Sequence, residues 1–157
     1  MPDDTGHITP QMVASAIRPE TVLVSIMLVN NEIGTINDIA GISKILKSHN
    51  HKILLHTDAV QGFMKVPFTI KSLGADMISI CSHKIHGPKG IGALYVNNKI
   101  NIEGLIVGGA QEMGKRAGTE NVPYICGFAK AVELASASLQ DNYVKVTNLK
   151  KYLINQV

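Results

Sequence analysis

Tryptophan is absent, aromatic side chains make up 4% of the 157 residues, and only two cysteines occur, Cys81 and Cys126. With so few rings the core must be aliphatic. Two distant thiols outside any C-x-x-C pattern suggest neither a disulfide framework nor a zinc site, and both are expected to be reduced. An excess of one charge is also lacking: 15 basic and 12 acidic side chains leave a net charge of +3 with the two signs interspersed. Such a mild, unclustered balance points to no nucleic-acid or anionic-membrane surface. No apolar run approaches the ~18 residues of a membrane span. The opening MPDDTGHITP carries acids where a secretory signal would be basic and then apolar. The expectation is a cytoplasmic chain with no nucleic-acid and no membrane partner. What is present is 45% apolar against 17% charged residues, the composition of a globular domain or of one piece of a larger one.

Strand-like and helix-like runs alternate, which is the α/β signature. Thr9 to Ala16 can form a short helix that ends before Arg18-Pro19, because a residue preceding proline is pushed out of the α region. Val22 to Val29 is almost wholly apolar and β-branched, as a strand covered on both faces would be. Asp38 is placed to cap a helix through about Ser48, with Ile39, Ile42, Ile45 and Leu46 on one face. Strands are expected at Ile53 to His56, Asp76 to Ile80 and Ile91 to Val96, with a short helix or turn at Thr69 to Leu73. After a glycine-dotted stretch from Gly108 to Gly118, two helices are expected, Pro123 to Leu139 and Tyr143 to Gln156.

Ligands of open α/β sheets bind outside the carboxyl ends of the strands, so the polar residues at strand exits matter most. Three clusters stand there: Asn30-Asn31-Glu32, His56-Thr57-Asp58-Ala59-Val60-Gln61, and Cys81-Ser82-His83-Lys84 leading into Ile85-His86-Gly87-Pro88-Lys89-Gly90. An acid and an amine nucleophile in one partly dry pocket match what pyridoxal phosphate needs. Its aldehyde is held as a Schiff base by a lysine, here Lys84. Its pyridine nitrogen stays protonated beside a carboxylate, here Asp58. Ser82, His83 and Thr119 offer hydroxyl and imidazole groups to the phosphate, and Gln61 and Asn31 offer neutral amides to the phenolic oxygen.

Taken singly, these residues have plainer explanations. A lysine or an aspartate after a strand is usually a surface or turn residue. His83 and His86 stand three apart, but no carboxylate or cysteine in the same segment completes a ligand set, so no metal is expected. The glycines around Pro88 fit neither the Walker pattern nor a dinucleotide fingerprint. Cys126, among Ile125, Gly127 and Phe128, reads as a buried structural thiol, and the scattered methionines read as core filler.

Whole segments carry more. Val29-Asn30-Asn31-Glu32-Ile33-Gly34, His56-Thr57-Asp58-Ala59-Val60-Gln61, Ser82-His83-Lys84-Ile85-His86-Gly87-Pro88-Lys89-Gly90-Ile91-Gly92-Ala93-Leu94-Tyr95-Val96, and Gly108-Gly109-Ala110-Gln111-Glu112 through Arg116-Ala117-Gly118-Thr119-Glu120-Asn121 follow one another in one unbroken order. From about Thr5 to Ser138 the chain resembles the NifS-like cysteine desulfurases of the class V aminotransferase superfamily. The resemblance implies an α/β fold, part of the large, aspartate aminotransferase-like domain of pyridoxal-phosphate-dependent transferases: a mixed, mostly parallel sheet with flanking helices. Residues 1–138 would belong to that domain, and 139–157 would form a helix leading toward a smaller carboxyl-terminal domain that is absent. Lys84 would be the Schiff-base lysine and proton shuttle, with His83 beside it as the second catalytic group. Asp58 would face the ring nitrogen, and Asn31 and Gln61 would contact the cofactor. Thr119 would reach the phosphate of a partner's site in a homodimer. L-cysteine would be the substrate, alanine the co-product, and a sulfur-acceptor or scaffold protein the recipient.

Two departures qualify the activity expected from the resemblance. Cys81 stands where the family usually has a phosphate-holding serine, and Ser82 where it usually has glycine. The family's amino-terminal glycine/threonine turn and stacking histidine, its substrate-carboxylate arginine and its persulfide cysteine have no counterpart in these residues. Selenocysteine lyase activity, plain amino transfer, and an inactive interaction module therefore stay open beside desulfuration. A chain of this kind is also expected to behave poorly as a monomer, with apolar surface and strand edges uncovered.

Overall fold

The polar residues that interrupt the apolar runs fix where the elements begin. Thr9 accepts a hydrogen bond from the Met12 amide at 3.2 Å and, with proline in the first turn, starts α1, Pro10–Ala16. Asp38 does the same for α2, Ile39–Lys47, through the Gly41 amide at 2.8 Å. Thr69 and Ser72 exchange bonds in a capping box over the single turn α3, Ile70–Leu73, which Gly74 closes in the left-handed region at φ +64°. The computed structural model describes residues 2–49 and 51–157. Met1 and Asn50, both inside the expected 1–138 unit, lie outside the described residues.

Four strands form one sheet in the order β1 (Leu23–Met27), β2 (Leu54–Asp58), β3 (Met77–Cys81) and β4 (Gly92–Val96). The first three are parallel and β4 is antiparallel to β3, so the sheet is mixed and mostly parallel, as expected. The register aligns Val24 with Leu55 and Ile26 with Thr57 and Ile78, which puts one apolar row on the side where α2 lies. Ile39, Ile42 and Leu46 of α2 bury there, and each fully buried aliphatic side chain contributes about 1.5–3 kcal/mol. Ser43, not Ile45, takes the fourth buried position of α2, its hydroxyl donating to the Gly74 carbonyl at 2.8 Å. That bond ties α2 to the end of α3.

Several expectations need correction: Cys126, read as a buried thiol, is exposed, and Met113, one of the methionines read as core filler, is 88% exposed. β1 is not covered on both faces: Leu23 and Leu94 are each 49% exposed, on the side of the sheet away from α2. β2 runs on to Asp58, because Asp58 pairs with Met27 on one side and Ser79 on the other, so the carboxylate belongs to the last residue of the strand. A single helix, α4, spans Val122–Ile154 in place of the two helices expected around Asp141-Asn142. Asn121 caps it, no glycine or proline follows Gly127, and Asn142 bonds the Ser138 hydroxyl one turn back at 3.0 Å instead of breaking the helix. The buried residues of α4, Phe128 and Ala131, both lie in its first half. Among the described residues no helix is long and apolar enough to cross a membrane.

Candidate functional site

The carboxyl ends of β2 and β3 lie side by side, and each feeds a tight turn. After Asp58 the chain folds back at once: Gly62 and Phe63 both donate to the Ala59 carbonyl, and Lys65 and Val66 both donate to that of Gly62. Met64 takes the left-handed conformation at φ +55°. Asp58 Oδ1 accepts from the Val60 amide at 2.9 Å, which fixes the carboxylate; among the described residues Oδ2 makes no hydrogen bond. Gln61 Oε1 accepts from Lys65 Nζ at 3.2 Å. Phe63 anchors the turn by packing edge-on against Phe128 of α4, with ring centroids 6.3 Å apart.

The second turn joins β3 to β4. Its base is closed by the Ser82 amide donating to the Ile91 carbonyl at 3.2 Å, and the Ser82 carbonyl accepts from both Ile85 and Gly87. Between them His83–Ile85 form a 3-10 turn, which His86 ends at φ +67°. Ile85 is buried against Phe128 and Ala131, leaving Lys84 half-buried and His83 exposed. The approach of α4 is close enough that a Cβ on Gly127 would come within 2.7 Å of Pro88 Cγ. The residue carrying the candidate amine is thus held by its neighbour, Ile85, which is latched to a helix.

Partial burial, and after it the positive charge of Lys84, hold the Lys65 ammonium below the ordinary lysine range, while Cys81 acts in the opposite direction. Lys65, Lys84 and Cys81 therefore share one electrostatic neighbourhood. Among the described residues the ion pairs are Arg116–Glu112 at 3.6 Å and Lys130–Glu133 at 2.7 Å, so neither Lys65 nor Lys84 has a carboxylate partner there. A carboxylate with a spare oxygen, an amide, and two amines without a carboxylate partner, all in or beside the turns that follow adjacent strands, form a group set suited to an anionic, ring-bearing carbonyl compound. Pyridoxal phosphate fits it.

The remaining residues singled out in the sequence fall less neatly together. Asn31 sits at the exposed tip of the turn after β1, its amide donating to Glu32 Oε1 at 2.7 Å. Cys81 is buried as the last residue of β3. Thr119 is exposed in a segment whose bonds are internal, such as Gly118 to Gln111 Oε1 at 3.1 Å. Ser82 is enclosed within its turn. Its hydroxyl is buried without a partner and faces Gly87, where a Cβ would strike it, and Ala131 lies against the same point. The turn thus covers that hydroxyl on the side of Gly87 and α4. Among the described residues no three His, Cys, Asp or Glu side chains converge.

Two features escaped the sequence reading. Lys65 follows Gln61 by four residues, a spacing that could have marked it as a neighbour. His56 bridges three strands, with Nδ1 at 2.7 Å from Ser25 Oγ and Nε2 at 2.8 Å from Ser79 Oγ. Alternation along β2 puts it on the face that carries Asp58.

Residues 1–157 match the aminotransferase class-V family. The chain is 46% identical over 155 residues to a cysteine desulfurase IscS of Dictyoglomus turgidum, covering 99% of this chain and 39% of that protein. It superposes on a NifS-like protein with a TM-score of 0.90 at 40% identity, over 96% of this chain and 41% of the other. With SspA, solved in complex with cysteine, the TM-score is 0.80 at 45% identity, over 84% of this chain and 38% of that one. The chain spans about two fifths of the length of the curated relatives it matches. With the fold and the match over residues 1–157 in agreement, the chain belongs to the aminotransferase class-V family.

Proposed function

We propose that this chain is the cofactor-holding part of a pyridoxal-phosphate-dependent cysteine desulfurase, which removes sulfur from L-cysteine and leaves L-alanine. One observation carries the reading: Asp58, Gln61 and Lys84 stand at the ends of neighbouring parallel strands, with no ion pair between the acid and the amine. The names of the relatives support the same substrate class. In this reading residues 1–138 are part of the large cofactor-binding domain, and 139–157 lead toward a further domain.

Bound pyridoxal phosphate would supply an electron sink for the substrate's Cα. Lys84 would hold its carbonyl carbon and, once released, take and return the Cα proton. Asp58, fixed by the Val60 amide, would keep the ring nitrogen protonated through its free oxygen. Gln61 and Asn31 would donate to the phenolic oxygen. His83, Cys81 and the backbone of the turn would surround the phosphate, joined by a threonine equivalent to Thr119 from a second copy. Leu105, Val107 and Met113, each at least 85% exposed next to the Thr119 segment, support a homodimer that covers them. A cytoplasmic setting and transfer of sulfur to an acceptor or scaffold protein complete the proposal. Cys81, buried in β3, is not assigned the sulfur-accepting role.

The test is an absorption spectrum after addition of pyridoxal phosphate and dialysis, beside a Lys84→Ala control. A retained visible band that depends on Lys84 is the expected result. A spectrum identical in the two proteins would overturn the claim that these residues alone assemble the site.

A further inference from the structure

Lys65 contacts the site without belonging to any of the three polar clusters, and its chemistry constrains its neighbour. An ammonium can only donate, so whatever faces Lys65 Nζ at 3.2 Å must be the oxygen of the Gln61 amide and not its nitrogen. An amide that gives its oxygen to one side presents two N–H donors to the other. The backbone that carries Gln61 is pinned by the paired bonds to Ala59 and Gly62 and by Phe63 against Phe128, so the Lys65 contact is the bond that directs its side chain. Lys65 has no carboxylate partner among the described residues that would draw it off.

We infer that Lys65 is a positioning residue: it fixes the polarity of the Gln61 amide so that Nε2, as a donor, faces the cofactor's phenolic oxygen. This rests on the cofactor reading above for its ligand, but the orientation of the amide is a property of the protein alone. As an i,i+4 contact the pair contributes little to stability, so its consequence lies in direction. A donor at the phenolic oxygen stabilises the oxygen's anion and makes the neighbouring nitrogen lose its proton at lower pH. A carbonyl oxygen turned to the same place does the reverse. The groups acting on Lys65 itself are the Lys84 ammonium and Cys81.

Two measurements decide the matter. In the cofactor-free chain, the Gln61 side-chain amide resonances should titrate at alkaline pH with a midpoint below that of an ordinary lysine. The titration should disappear in Lys65→Met and survive in Lys65→Arg only as a fixed, non-titrating shift. Amide resonances indifferent to residue 65 would overturn the inference, whether or not the cofactor binds. In the loaded chain, the pH midpoint of the Lys84-dependent band should rise in Lys65→Met. It should rise further in Lys65→Glu, whose carboxylate draws Nε2 and turns the amide over, by about one unit or more. In a Gln61→Ala background both shifts should shrink to the smaller part that the charge at residue 65 exerts directly on Lys84. Shifts of undiminished size there would mean a direct field effect alone and would also overturn the inference. If no Lys84-dependent band forms at all, the cofactor reading fails, and the amide resonances still decide the role of Lys65.

Discussion

The two hydrophobic clusters of this chain are unequal in size and in what they hold. The larger joins α1, α2 and α3 to one face of the sheet through eleven buried residues, from Val13 to Ile78. The smaller has three, Ile85, Phe128 and Ala131, with Phe63, Met64, Ile80, Ile91 and Val132 around them. The first makes the strands stay together. The second makes two loops and a helix keep their places, and both of those loops carry the candidate chemistry. Scaffold stability and site order therefore lean on different buried side chains, with Ile80 packed against both sets.

Substitutions can separate the two. Ile42→Ala removes a side chain with no exposure from the centre of the large cluster and should cost about 3–4 kcal/mol, read as a lower urea midpoint with an unchanged slope. Ile85→Ala should cost about 2 kcal/mol, because its smaller cluster can relax toward solvent. Its signature should be local: faster hydrogen exchange at the Gly87 amide, with the β2 amides little changed. Equal acceleration in both places would mean that the clusters act as one unit. Ser82→Ala should change stability least, by about 1 kcal/mol or less and in the stabilising direction, since it removes a buried hydroxyl that has no partner. A clear loss of stability on thermal melting would show that the hydroxyl is satisfied after all.

Much of the larger cluster was legible in the sequence, because its signals are local. Thr9, Asp38 and Thr69 announced three helix starts, and the aliphatic spacing of Ile39, Ile42 and Leu46 announced a buried face. The smaller cluster was not, since nothing in Phe128 or Ala131 says that they meet Ile85 from the far side of a glycine-rich stretch. The exposed side of β1 was misread for a related reason: an unbroken apolar run describes what a strand could bury, and the covering elements decide what it does bury. The break expected between Leu139 and Tyr143 does not form; Asn142 instead bonds Ser138 one turn back within α4. At the site, Asp58 and Lys84 were legible as types at strand ends. That Ser82 turns inward and Lys65 turns toward Gln61 depends on the geometry of turns, where a single left-handed residue such as Met64 or His86 redirects everything after it.

The latch between Ile85 and α4 also has a consequence in time. A ribosome making this chain releases Lys84 well before Phe128 and Ala131, so the nascent sheet emerges with the lysine turn unfastened. Contacts of such wide sequence separation form late because the intervening loop must be closed first. The candidate amine of Lys84 is held in place only once the helix has docked, which makes α4 the clock of the turn's maturation.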